Sequence, residues 1–170
     1  MALLQRHGDP AAGDIALDGA PLRRLSRGDL RAAVALAPQR PFVIRGTAAE
    51  NLRLTAPEAT DAAMRDMLDL VELSPRLAAA GGLDAPLGED GLTLSGGERQ
   101  RLCLARALLA PCRVLCLDEA LSEVDPPTIA RIMARIDAAM PNVTRIIAVH
   151  GAVDAHGPFD AVIDLPGRAP

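Results

Sequence analysis

The chain has 170 residues, a formal net charge of −4 and an apolar fraction of 49%, enough for one domain with a core of its own. With two Phe, no Tyr and no Trp, the core must rest on Leu, Ile, Val, Ala and Met, and there are no aromatic platforms for stacking single-stranded nucleic acid. The acidic balance without a long basic run speaks against a nucleic-acid partner.

No apolar run nears the ~18 residues of a membrane span, and no apolar h-region follows the first residues, Met1 to His7. The default compartment is the cytosol. Cys103, Cys112 and Cys116 lie in apolar surroundings without a Cys-x-x-Cys pair, so they read as small buried hydrophobes rather than metal ligands.

Gly13 to Gly19 alternates apolar and polar residues into Asp18-Gly19, a short strand entering a turn. Val34 to Ala37 is a second short strand, stopped by Pro38. From Thr60 to Leu73, Met64, Met67, Leu68 and Val71 keep helical spacing. Ser74-Pro75 reads as an N-cap with proline at the first helical position, and Gly81-Gly82 closes that short helix. Ser95 to Leu109 is a helix, apolar on most sides after its first turn and so buried on most sides. Arg113–Asp118 and Thr144–His150 are continuous apolar runs suited to parallel strands covered on both faces. Between them Ile129, Ile132, Met133, Ile136 and Met140 mark one helix face, with Asp125 as N-cap and Pro126 at the first position. Strand, helix and strand make a βαβ crossover. Phe159–Leu165 reads as one more strand, ended by Pro166-Gly167.

Two short stretches can carry chemistry. Ser95-Gly96-Gly97 opens a helix, whose first turn offers unsatisfied N–H groups and a positive dipole end. Two glycines let a phosphate approach closely. Equally, Ser95-x-x-Glu98 is a plain capping box. Asp118-Glu119 follows four apolar residues, so both acids stand at a strand's C-terminal edge, where open α/β sheets place ligands. One could hold a hard cation and the other deprotonate a water. A solvated acidic turn is the plain alternative.

The longer string Leu94-Ser95-Gly96-Gly97-Glu98-Arg99-Gln100-Arg101-Leu102, continued by Ala105-Arg106-Ala107-Leu108, resembles the signature motif of ATP-binding-cassette proteins. The resemblance runs from Leu3 to Gly167. It implies a P-loop NTPase-like α/β fold, a parallel sheet core with a helical signature subdomain, divided at about residues 1–50, 51–110 and 111–170. It implies Asp118 as the Walker B magnesium residue and Glu119 as catalytic base. Ser95, Gly96, Gly97 and Glu98 would face ATP in trans, across a head-to-tail dimer. Ser122-Glu123-Val124-Asp125 resembles the D-loop, with Glu123 where the family more often has a small residue, and Asp125 serves as well as an N-cap. His150 resembles the switch histidine that meets the γ-phosphate. Gln39 resembles the Q-loop residue that senses Mg2+ and the attacking water. Gly46-Thr47-x-x-Glu50-Asn51-Leu52 and Gly88-Glu89-Asp90-Gly91 resemble the exporter form.

Leu3-Leu4-x-Arg6-x-x-Asp9-Pro10-x-x-Gly13 matches the family's stretch just after its phosphate loop. The loop itself, Gly-x-x-x-x-Gly-Lys-Ser/Thr, is missing, and so are the first strands and the adenine-stacking aromatic. Three readings follow. The chain is a fragment of an exporter ATPase, with ATP and Mg2+ as cofactors, a transmembrane domain and a second ATPase domain as partners, and the cytoplasmic face of the inner membrane as its place. Alternatively it is a non-catalytic module, or a decayed gene product, offering its signature in trans. A non-transport cassette ATPase fits less well, because only a short helical segment separates Gln39 from Ser95, where DNA-acting members carry a long coiled coil.

Overall fold

A computed structural model of the chain describes residues 1–88, 94–150 and 156–164. Its centre is a three-stranded sheet in the order β3 (Val34–Ala37), β6 (Val114–Asp118), β7 (Thr144–Ala148), parallel throughout. Helix α6 (Pro126–Ala139) makes the crossover between β6 and β7. The family-like α/β sheet core inferred from the sequence is therefore present.

Side-chain alternation explains why β6 is apolar without interruption. Leu115 and Leu117 belong to the main core with α5 (Gly96–Leu109) and α6. Val114 and Cys116 point to the other face, into a smaller cluster with Leu22, Leu30 and Val34. Each face is covered, so each position must be apolar. Burial of this kind pushes the Cys116 thiol up to about 11.

β7 differs from expectation. Its apolar run predicts cover on both faces, yet Ile146 is 37% exposed. Ile146 lies opposite Cys116 and so shares the smaller cluster's face. That cluster draws on Met1, Leu4, Ile15, Leu17 and Leu25, which cover β3 and β6 but do not reach β7. The strand read at Phe159–Leu165 is likewise not formed over Phe159–Asp164, where Val162 and Ile163 stand 62% and 81% exposed. A strand needs a ladder partner, and the described residues supply none beside this segment. Leu165 to Gly167, and Glu89 to Gly91 of the exporter-like stretch, lie outside the described residues.

In the N-terminal part, β1 (Ala16–Leu17) and β2 (Ala20–Pro21) form a hairpin. Its two-residue turn has both Asp18 (φ 48°) and Gly19 (φ 78°) left-handed, as a type I′ turn demands. Helix α1 (Arg27–Ala33) opens with a Ser26–Asp29 capping box and leads directly into β3.

The helical part holds α2 (Ala48–Arg53), α3 (Asp61–Leu70), α4 (Ser74–Ala78) and α5, with β4 (Gly46–Thr47) paired to β5 (Pro86–Leu87). α3 stops at Leu70, short of the expected Leu73, because Glu72 turns left-handed (φ 56°). Its carboxylate receives two 2.9 Å bonds from Arg131 of α6, and its carbonyl accepts from Arg101 of α5 at 2.6 Å. Ser74 is inside α4 rather than its cap, since the backbone of Leu73 is already αR, and α4 ends before Gly81-Gly82.

A buried polar knot joins this part to the strand ends. Asn51, fully buried, accepts from the Ile44 N–H and donates to the carbonyls of Ile44 and Thr47. Arg106 of α5, 4% exposed, donates to the Asn51 carbonyl, the Asn51 Oδ1 and the Phe42 carbonyl. Its guanidinium also lies 4.8 Å from the Phe42 ring centroid. Desolvation pulls the Arg106 pKa down from its ordinary value. Thr47 and Glu50 close a capping box at α2. The exporter-like Gly-Thr-x-x-Glu-Asn-Leu run thus has a local reason at each end: a glycine at φ 147°, a reciprocal cap, and a buried amide. No helix among the described residues is long and apolar enough to cross a membrane.

Two outcomes follow from these contacts. Asn51→Leu strands the Ile44 N–H and part of Arg106 without partners; urea unfolding should show a loss of about 3 kcal/mol, each orphaned buried group costing ~1–3 kcal/mol. Arg131 holds the Glu72 carboxyl below its ordinary 4.5. A depressed folded-state pKa gives stability that is present above the unfolded value and lost as pH falls through the folded one. Glu72→Gln should therefore lower the melting temperature by about 2 °C at pH 7. The gap from the parent should close as the pH drops below the carboxylate range in parallel thermal melts.

Candidate functional site

Parallel register brings three candidate residues to one edge. Ala37 pairs with Leu117, and Asp118 with Ala148. Gln39, Glu119 and His150 each follow their strand by one or two residues, so they meet beyond the C-terminal ends. Gln39 Nε2 donates to Glu119 Oε2 at 2.8 Å. His150 Nε2 lies 3.0 Å from Glu119 Oε1. One carboxylate is thereby gripped at both oxygens by residues 80 positions upstream and 31 downstream in the chain.

The backbone at Glu119 is left-handed, φ 48°, which a non-glycine residue adopts at a cost. It is held there by its N–H, which donates to the Ala148 carbonyl at 2.9 Å, and by its carbonyl, which accepts from Ser122 N–H at 3.2 Å. The Glu119 side chain is 19% exposed and that of His150 89%. The grip is thus open to solvent on the histidine side and sheltered at the acid.

Ser95, Gly96, Gly97 and Glu98 sit elsewhere, at the start of α5. Ser95 Oγ accepts from the Glu98 N–H at 3.2 Å, and Glu98 accepts from the Ser95 N–H at 2.8 Å, so the capping box is formed. The second Glu98 oxygen is 3.4 Å from Arg76. Among the described residues no hydrogen bond or ion pair joins this turn to the Glu119 cluster.

The link runs instead through Gln100, a residue that motif reading passed over. Gln100 is 2% exposed. Its Nε2 donates to Ser122 Oγ at 2.9 Å and its Oε1 accepts from the Glu123 N–H at 2.8 Å. It pins the loop after Glu119 to the first turns of α5. Gln100 stands inside the signature string, three residues after Gly97, and its burial shows only in the packed structure. The loop then lies so close that a Cβ at Gly97 would come within 2.6 Å of the Glu123 carbonyl, and one at Gly96 would overlap the Glu123 carboxylate. Gly97 is required by the chain's own backbone packing, whereas Gly96 faces only the movable end of the Glu123 side chain. Asp125 ends the loop as the N-cap of α6, accepting from the Thr128 N–H at 3.0 Å. Thr128 holds its carboxyl below the ordinary range.

Fit to the cofactors divides in two. Asp118, the Gln39 amide oxygen and Glu119 offer hard oxygens of the kind Mg2+ takes. A nucleotide's phosphates need a backbone cradle and a lysine; the 170 residues contain no lysine at all, every basic side chain of the Lys+Arg count being arginine. The donor chemistry suits the metal, although among the described residues no group of three or more His, Cys, Asp or Glu is gathered to hold one; the residues present do not by themselves fit the nucleotide.

Comparison with known proteins agrees with this architecture. The ABC transporter family pattern matches residues 1–122. The chain is 38% identical over 184 aligned positions to the beta-(1→2)glucan export ATP-binding/permease protein NdvA of Bradyrhizobium diazoefficiens, with 99% of the chain and 31% of that protein covered. It is 36% identical to the ATP-dependent lipid A-core flippase of Neisseria meningitidis, covering 98% of the chain and 27% of that protein. A bacterial Atm1-family ABC exporter solved with ATP bound superposes with a TM-score of 0.83 at 31% identity, over 88% of the chain and 26% of the exporter. The chain spans about a third or less of the length of these relatives.

Gln100→Leu keeps the volume and removes both loop bonds. We expect about 1–2 kcal/mol lower stability and much faster amide exchange at Glu123, measured by hydrogen exchange, while the Ser95 capping box stays protected. From its matched pattern, its relatives and its sheet, the chain belongs to the ABC transporter family and carries the fold of an exporter ATPase domain.

Proposed function

We propose that the chain supplies the signature face and the acid–base cluster of an ABC exporter ATPase, whose hydrolysis of ATP drives export across the inner membrane from its cytoplasmic face. The observation that carries this reading is the Glu119 carboxylate gripped by Gln39 and His150. In this role Glu119 accepts the proton of the attacking water. One of its oxygens accepts from Gln39, the other lies beside His150, and lone pairs remain for that water. Gln39 and His150 orient the carboxylate, and His150, exposed to solvent, is placed to follow the γ-phosphate. Asp118 would hold Mg2+, which neutralises phosphate charge when bound. Asp125, capping α6, sets the exit of the D-loop. Ser95, Gly96 and Gly97 would present their N–H groups to a nucleotide held by a second ATPase domain, with Glu98 fixing that turn.

The absence of lysine supports a division of labour. The phosphate cradle comes from polypeptide outside these 170 residues, whether joined to this sequence or on a partner. A non-catalytic module that acts only in trans is favoured by the same observation. A transmembrane partner is supported by the relatives, which are named for glucan export and for lipid A-core flipping and so differ in what they carry.

Calorimetry of the 170-residue chain with MgATP should show no tight binding; a micromolar Kd overturns the division of labour. Joining the upstream phosphate-loop segment of the Bradyrhizobium glucan exporter should restore MgATP hydrolysis. Glu119→Gln in that fusion should cut the rate at least about a hundredfold, as loss of a general base does. Binding without hydrolysis in the parent fusion would instead identify the trans-only module.

A further inference from the structure

We infer that Gln100 is a positioning residue for the base: from inside α5 it holds, through Ser122, the turn that keeps Glu119 left-handed and its carboxylate aimed between Gln39 and His150. The inference rests on the reading of Glu119 as the acceptor of the water's proton, and it names the residue that fixes the aim of that acid.

A left-handed backbone at a residue with a Cβ persists only where its surroundings over-determine it. At Glu119, φ 48°, the restraints come from two sides. Its N–H donates to the Ala148 carbonyl of β7 at 2.9 Å. Its carbonyl accepts from the Ser122 N–H at 3.2 Å, which closes a tight turn. Ala120 and Leu121, inside that turn, are buried in the main core. Their packing sets the depth of the turn, but apolar burial is non-directional and leaves the rotation of the peptide groups unset.

Directional bonds set that rotation, and Gln100 supplies two of them from another element. Its Nε2 donates to Ser122 Oγ at 2.9 Å, and its Oε1 accepts from the Glu123 N–H at 2.8 Å. Gln100 is 2% exposed, so packing holds its amide in one place. Ser122 is the joint: its hydroxyl is tied to α5 and its N–H to the Glu119 carbonyl. The acid is thereby held from β7 on one side and from α5 on the other. With the α5 side released, only the Ala148 bond opposes relaxation of Glu119 to an ordinary backbone, and the carboxylate swings away from the Gln39 amide.

Two variants test this. Gln100→Leu removes both bonds, and Ser122→Ala, at an exposed position, removes only the joint and leaves the core untouched. In the 15N,13C-labelled chain, the HN–Hα coupling and Cα shift of Glu119 read its φ. Exchange protection of the Gln39 side-chain amide reads its bond to the carboxylate. Both variants should move Glu119 out of the left-handed region and expose the Gln39 amide, while the α5 core amides stay protected. In the fusion that carries the upstream phosphate-loop segment, both should lower kcat for MgATP about tenfold with KM unchanged, the mark of a group that acts on the chemical step. The double variant should be no slower than Gln100→Leu alone, because both act through one joint. Parent values of the Glu119 coupling and Gln39 protection in Ser122→Ala overturn the positioning role and leave the acid–base reading intact. A raised KM at unchanged kcat assigns Gln100 to the nucleotide-facing turn and overturns the role as well. A parent fusion that binds MgATP without hydrolysing it overturns the acid–base reading, and the positioning role with it.

Discussion

Backbone hydrogen bonds between β6 and its two parallel neighbours set the position of everything at the candidate site. Parallel register is discrete: a slip of one residue would turn Leu115 and Leu117 out of the main core and bring Val114 and Cys116 into it. Because both faces of β6 are covered, both sets resist that slip. The C-terminal ends of three strands therefore arrive together, and Gln39 and His150 reach the same carboxylate without any long loop to guide them. The left-handed backbone at Glu119 is the local cost of aiming the acid across the sheet edge, and the Ala148 carbonyl holds it there.

From that edge, two buried polar ties lead to α5. Gln100 holds the loop after Glu119, and Arg106, two turns on, holds the segment after Gln39. Neither tie uses an opposed charge. Arg106 is satisfied by carbonyl oxygens and one amide, so its desolvation is offset only if every bond is made. Ties of this kind are intolerant of partial loss, because a half-satisfied buried network costs more than an apolar one. One helix thus senses both sides of the Glu119 cluster through groups that cannot loosen gradually.

Much of this was legible in the sequence. The unbroken run Val114–Leu117 demanded two covered faces, and the faces are there. Ile129, Ile132, Met133 and Ile136 all point inward from α6, as their spacing required. Gln39, Glu119 and His150 were picked out by resemblance and are in contact. Less visible were effects that depend on neighbours distant in sequence. The exposure of Ile146 depends on how far residues 1 to 25 extend, which periodicity does not encode. Val162 and Ile163 have strand-like chemistry but no ladder partner. Gln100 and Arg106 look like surface residues in a helical pattern, and only the packed structure shows their polar ends turned inward. Arg131 and Arg101 end α3 early by trapping a left-handed Glu72, a tertiary override of a good helical pattern.

The two glycines of the signature show why motif and packing must be read together. A phosphate can approach a helix N-terminus closely only where Cβ is absent, which is one reason for glycine at Gly96 and Gly97. The loop from Glu123 to Val124 needs the same absent atoms from the intramolecular side. A side chain at Gly97 would collide with the chain's own loop before it met a ligand, while one at Gly96 would meet only the movable Glu123 carboxylate. At Gly97 a fold defect and a binding defect would then appear together and could not be separated. Glu123 lies on the other side of the contact, where the main chain is fixed and the side chain is free. It is the position at which the side chain beside this face can change while the geometry of the loop stays.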